Sequence, residues 1–145
     1  MFKKLNIFLT IFVSVLSLVL ISCSSTKGLE VSKVSQNLEN TKWELVSLNQ
    51  KEIKKLDKIA SINFEKDNKV FGNLGCNNFF GTYKVNSTNL EIGQVGSTMM
   101  MCLDMSVENE YSKVLQNVKG YKMKENNLIF FDENSKEIAK FKKEV

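Results

Sequence analysis

Apolar residues that recur at every second position, in short runs separated by turn-forming residues, fill most of the chain beyond Leu38 and restrict it to a mainly β fold. Thr41 to Leu48 puts Trp43 and Leu45 on one side and Val46 and Leu48 on the other, which predicts a strand with its tryptophan inward. Asn49-Gln50-Lys51 then turns. Ala60, Ile62 and Phe64 mark a second strand, closed by the hairpin turn Glu65-Lys66-Asp67-Asn68. Val70 to Leu74 returns, and Gly72 within it points to a bulge or to close packing against another backbone. Thr82 to Val85 pairs with Asn89 to Ile92 across Asn86-Ser87-Thr88. Tyr121 with Met123, Leu128 to Phe131, and Ile138 to Phe141 close the series, with turns at Asn126-Asn127 and Glu133-Asn134-Ser135.

One segment breaks this rhythm. Val107, Tyr111, Val114, Leu115 and Val118 fall on a single helical stripe. Ser106 is expected to cap the helix, Glu108 and Glu110 to favour its positive end, and Gly120 to stop it. The fold expected is an antiparallel meander curled into a small barrel-like sheet with one late helix packed against it, because closure removes most exposed strand edges.

The start of the chain has a different character. Lys3 and Lys4 precede an apolar run from Ile7 to Ile21, interrupted only by Thr10, Ser14 and Ser17. A helix over that run spans about 22 Å, short of the roughly 30 Å hydrocarbon core, so it reads as an export leader and not as a permanent span. Leu20-Ile21-Ser22-Cys23 then resembles the lipobox of bacterial lipoproteins. The resemblance implies cleavage before Cys23 and acylation of its thiol, which would anchor the protein in a membrane of the cell envelope. Ser24 is not the aspartate that retains lipoproteins in the inner membrane, so an outer-membrane location is expected in a diderm host. The organisation expected is a signal peptide over 1–22, a flexible tether over 23–37 and one β domain over 38–145.

Charge excludes several classes. The formal balance of +4 arises from 20 basic and 16 acidic residues, and half of it lies in Lys3 and Lys4. The remaining lysines alternate with acids, as in Lys54-Lys55-Leu56-Asp57-Lys58, which leaves no basic face for nucleic acid. Without histidine there is no Ser-His or Cys-His pair, and the carboxylates are scattered through turns and the helix. No catalytic residue, cofactor or metal site is expected, and the domain is expected to act as a monomer.

The densest cluster of distinctive residues is Gly75-Cys76-Asn77-Asn78-Phe79-Phe80-Gly81-Thr82-Tyr83, answered by Thr98-Met99-Met100-Met101-Cys102. Cys76 and Cys102 admit three readings. A disulfide suits an exported protein and leads; two reduced buried thiols and a soft-metal site with Met99, Met100, Met101 and Met105 stay open beside it. Neighbouring residues on a strand face opposite ways, so core filling is the preferred account of the methionines. For Asn77 and Asn78 the preferred account is an amide bonded to nearby backbone, with a ligand contact as the other. Phe79, Phe80 and Tyr83 are expected in the core and at its rim.

These motifs, with Thr41-Lys42-Trp43-Glu44-Leu45, Phe64, Val70, Gly72, Glu110-Tyr111 and Leu115, resemble the META domain family and its HslJ-like lipoproteins. The family motif residues here are Gly75, Cys76, Asn77, Phe79, Gly81, Tyr83, Thr98, Met100 and Cys102. Met99 stands where the family usually has a basic residue, and Met101 where it has a small one. The resemblance implies a barrel-like envelope domain, associated in relatives with heat shock, drug tolerance or virulence. The function expected is non-enzymatic binding of an envelope protein or small ligand; the alternative is redox or copper handling by Cys76, Cys102 and the methionines.

Overall fold

The computed structural model describes residues 37–144 apart from Lys55 and Asp57. The leader, the lipobox with Cys23 and the expected tether up to residue 36 lie outside the described residues. In chain order the elements are β1 (Thr41–Leu48), β2 (Lys51–Glu52), β3 (Ser61–Phe64), β4 (Lys69–Asn73), β5 (Asn78–Asn86), β6 (Asn89–Ile92), β7 (Gly96–Ser97), α1 (Ser106–Asn117), β8 (Gly120–Lys124), β9 (Asn127–Phe131) and β10 (Glu137–Lys143).

Eight of these strands form a closed antiparallel barrel, each pairing with the next from β1 through β3, β4, β5, β6, β8 and β9 to β10, which returns to β1. Short β2 and β7 attach beside β1 and β5. Tight turns set the register: Asp67 and Asn68 both take positive φ, the combination whose twist suits a two-residue hairpin. The β8–β9 turn falls on Glu125-Asn126, one residue earlier than expected, with Glu125 at positive φ.

Inward residues fill the barrel with Trp43, Ile62, Phe64, Val70, Phe79, Leu90, Leu128, Phe130 and Phe141, all buried. Each such aliphatic or phenyl group contributes about 1.5–3 kcal/mol by leaving water. The Trp43 indole N–H donates to Thr41 Oγ1 at 2.8 Å, and that hydroxyl donates onward to the Leu38 carbonyl. The Thr41-x-Trp43 pair thus satisfies the one polar atom the tryptophan brings inside.

Two strands depart from simple alternation. The pairing of β1 with β10 shifts between Leu45 and Ser47, and beyond that irregularity Leu48 is buried rather than facing outward. β10 shifts similarly against β9, so neighbouring Ile138 and Ala139 are both buried.

α1 lays Tyr111, Val114 and Leu115 against the core. The Tyr111 ring reaches Phe79 at 6.1 Å and Phe141 at 5.9 Å between centroids, so it enters the barrel interior. Two expected helix boundaries are corrected. Ser106 is the first helical residue; Met105 is the N-cap and supplies no side-chain bond, while Asp104 Oδ1 accepts the Ser106 N–H at 2.8 Å. At the other end Val118 turns extended and its N–H donates to the Val114 carbonyl, so the helix stops before Gly120, which opens β8.

Candidate functional site

The Gly75–Asn77 turn joins β4 to β5 at the end of the barrel that α1 covers. The Leu74 N–H donates to the Asn77 carbonyl at 2.8 Å, and the Gly75 N–H to Asn73 Oδ1 at 2.7 Å. Gly75 has φ 111°, a conformation that a side chain disfavours, and a Cβ there would lie only 3.1 Å from Leu56 Cδ1. This turn drives Asn77 inward, where only 2 % of its surface is exposed.

Once inside, the Asn77 amide ties together segments far apart in sequence. Its Oδ1 accepts from Thr98 Oγ1 and from the Met100 N–H, each at 2.7 Å. Its Nδ2 donates to the Met100 carbonyl and to Glu108 Oε1, each at 2.9 Å. Glu108 Oε2 accepts the Asn77 backbone N–H at 2.8 Å. The expectation of a bond to nearby backbone is therefore corrected: apart from a long contact of Nδ2 with Cys76 Sγ at 3.7 Å, the partners are twenty or more residues away. Among the described residues, every buried side-chain nitrogen and oxygen has a partner, so this amide is committed to the fold.

Cys76 and Cys102 are joined by a disulfide with Cα atoms 6.1 Å apart. The bridge crosses between the same two segments that Asn77 joins, and Lys58 Nζ donates to the Cys76 carbonyl at 3.2 Å. Thr98 adds a backbone bond to the Asn78 carbonyl at 3.0 Å.

The methionines overturn their expectation. Thr98 to Met101 is not a strand, because the Met100 backbone bonds to the Asn77 side chain instead of to a neighbouring strand. Met99 is 97 % exposed and Met101 92 %, Leu103 is fully exposed, and Met100 is half-exposed. They project as an apolar tip, not as core. Beside it lies a cleft of about 570 Å³, with Leu48, Ile53, Leu56 and Val107 among its apolar lining and Lys54 and Asp104 among its charges. Hydrogen bonds from Ser106, with Lys54 adding a smaller attraction, hold the Asp104 carboxyl below its usual range.

Of the motif residues, Gly75, Cys76, Asn77, Thr98, Met100 and Cys102 meet here. Phe79 and Tyr83 are buried further along β5, Tyr83 in edge-on contact with Phe64 and donating its hydroxyl to the Glu65 carbonyl at 3.1 Å. Gly81 faces the Gln94 carbonyl and Val95, and Phe80 is exposed on the outer face. Sequence reasoning gave Glu108 only a helix-dipole role; its clamp on Asn77 had no local signal beyond its place in the first turn. Glu110, expected to favour the helix's positive end and part of the Glu110-Tyr111 motif, accepts from Asn49 Nδ2 at 2.7 Å.

A family model described as META domain matches residues 36–145. Among solved structures, a protein from Burkholderia xenovorans determined by NMR superposes with a TM-score of 0.61 at 19% identity, over 77% of this chain and 86% of that one. A second protein determined by NMR gives 0.60 at 23% identity, over 72% and 90%. A DUF4847 family protein from Bacteroides vulgatus, determined by crystallography, gives 0.55 at 19% identity, over 75% and 96%. At these identities the likeness is one of fold. No curated protein matches the chain.

Proposed function

The chain belongs to the META domain family, and from that premise we propose a non-enzymatic envelope lipoprotein, tethered through lipid on Cys23, whose β domain binds an envelope partner. The observation that carries the binding role is the tip. Met99, Met101 and Leu103 stand almost wholly in water although their backbone is held by the disulfide and by Asn77. Large apolar side chains clustered on a soluble surface mark an interaction site, and here the fold holds them in place instead of letting them collapse. A convex tip suits a concave apolar surface on another protein; the cleft beside it suits a small apolar group.

The tether rests on the leader and on Leu20-Ile21-Ser22-Cys23. Described residues add a geometric point in its favour. Thr41 pairs with Phe64, at the opposite end of β1 and β3 from the Glu44–Ser61 pair that neighbours the motif, so the chain enters the barrel remote from the tip. The lack of histidine and the full pairing of buried polar side chains among the described residues support a role without catalysis. A location in the outer membrane of a diderm host, a monomeric state, and a link to stress or drug tolerance form part of the proposal on the lipobox and family resemblances. Copper handling loses both thiolates while Cys76 and Cys102 are bonded and would rest on thioethers alone.

Two experiments test this. Cys23→Ser should leave the protein unlabelled by palmitate and its leader uncleaved, whereas a mutant as short and as membrane-bound as the wild type would defeat the tether. A photo-crosslinking residue at position 99, 101 or 103 in the native host should give discrete adducts absent from probes at exposed Lys84 and Lys122. Equal adducts at all five positions, or none at the tip, would remove the binding role.

A further inference from the structure

Once Cys76 and Cys102 are bonded, the most accessible oxidisable sulfur among the described residues belongs to two thioethers. We propose that Met99 and Met101 form an oxidation site for hydroperoxides and hypochlorous acid, and that their conversion to sulfoxides turns the tip polar while the barrel stays folded.

The argument begins with exposure. Met99 and Met101 are 97 % and 92 % exposed, Met100 is half-exposed, and Met105 and Met123 are partly buried, Met123 against the core. Oxidation of a thioether needs direct approach of the oxidant to sulfur, so the five methionines are graded by access. Tolerance follows from what holds the loop. The bonds of Asn77 reach the backbone of Met100 and the hydroxyl of Thr98, and the disulfide holds Cys102; none involves the side chains of Met99 or Met101. An added oxygen on either sulfur therefore meets solvent, whereas the same oxygen on Met123 would be forced against the core.

The chemistry balances. The thioether sulfur attacks the outer oxygen of a hydroperoxide, the O–O bond breaks, and the departing alkoxide takes the proton, giving sulfoxide and alcohol. With hypochlorous acid the net products are sulfoxide and HCl. Sulfur loses two electrons and the oxidant gains them. A methionine sulfoxide reductase reverses the step with a dithiol, yielding thioether, disulfide and water. A tip carrying two sulfoxides keeps only Leu103 and half-exposed Met100 as apolar contacts for a concave partner, so oxidation would weaken its hold and release it. That switching half rests on the binding role proposed above; the oxidation half does not.

The test uses the full-length exported protein with its disulfide intact, treated separately with limiting hydrogen peroxide and hypochlorous acid. Fragment mass analysis should show one added oxygen at Met99 and at Met101 several-fold faster than at Met105 or Met123, with an unchanged urea midpoint. Reductases for both sulfoxide epimers should restore the original mass. Equal or faster oxidation at Met105 or Met123, a lowered midpoint from Met99 and Met101 oxidation, or failure of the reductases would overturn the site. For the switch, adducts from a photo-crosslinker at position 103 should disappear on oxidation, return on reduction, and become oxidant-insensitive in M99I/M101I. Adducts that persist with both sulfurs oxidised would overturn the switch alone, while their absence from reduced protein would remove the docking reading and the switch with it.

Discussion

Asn77 is where three stretches of chain converge: the β4–β5 turn, the Thr98–Cys102 loop and the first turn of α1. Asn77→Ala would remove the four hydrogen bonds that its amide makes to Thr98, Met100 and Glu108, and at about 0.5–1.5 kcal/mol net per bond the cost should be roughly 2 kcal/mol or more. A urea midpoint drop at unchanged slope would register it. Asn77→Asp is more diagnostic. It replaces the donor to Glu108 with a second carboxylate about 3 Å away, so one of the pair must have its folded pKa raised above the ordinary value near 4. The stability deficit of this variant relative to the wild type should then be smallest below about pH 4 and grow as pH rises through the raised value. A variant as stable as the wild type at pH 7, or one whose deficit grows on acidification, would show that the Asn77–Glu108 contact does not carry this weight.

At the scale of elements, two glycines in strands separate packing from conformation. A Cβ at Gly72 in β4 would lie 2.0 Å from the Ser61 carbonyl of β3, a backbone atom with little room to move. Gly72→Ala should therefore cost at least about 2 kcal/mol, in the manner of an overpacked core. A Cβ at Gly120 in β8 would meet nothing nearer than 3.5 Å, and Gly120→Ala should change stability by no more than about 0.5 kcal/mol. Thermal melts of the two variants side by side make the comparison, and a Gly120→Ala penalty equal to that of Gly72→Ala would contradict it. The expectation of close backbone packing at Gly72 holds; the expectation of a helix stop at Gly120 does not, because Val118 ends the helix two residues earlier.

For the molecule as a whole, the Cys76–Cys102 bridge spans 26 residues and ties β4–β5 to the loop ahead of α1. Chain entropy assigns such a loop about 3.5 kcal/mol. Cys76→Ser and Cys102→Ser should each cost roughly that much and the double variant little more, since both remove the same cross-link. Additive costs in denaturant titrations would mean that the two positions act separately. The closed core makes a second molecular prediction through Tyr111, whose phenol burial raises well above its ordinary value. Below about pH 10 both folded and unfolded chains keep this proton. Above it only the unfolded chain releases it, so stability falls as pH rises toward the folded value. Tyr111 phenolate absorbance, isolated as the difference from Tyr111→Phe, should rise only together with loss of near-ultraviolet dichroism; ionisation in the intact fold would refute it.

Much of this was legible from the chain alone. Period-two alternation placed β1 and β6 at their observed bounds and located β3, β4, β8, β9 and β10 to within a few residues; β5 begins earlier than Thr82, and the two-residue strands β2 and β7 were not expected, being too short to show an alternation. The helical stripe identified the inward face of α1, because alternation and stripe are local consequences of burying one side of an element. Pairing of Cys76 with Cys102 was the leading expectation, and the disulfide bears it out. Only the tertiary structure decided what the two motifs do together. The irregularity that turns Leu48 inward depends on β10, ninety residues away, and the bonds of Asn77 depend on Met100 and Glu108 arriving from other parts of the chain. The methionines make the same point in reverse: hydrophobicity argued for burial, but with the Met100 backbone taken by Asn77 the side chains of Met99 and Met101 are turned to solvent. Local pattern determines which face of an element prefers to be buried, whereas a partner's position is set by closure of the barrel, which no window of sequence contains.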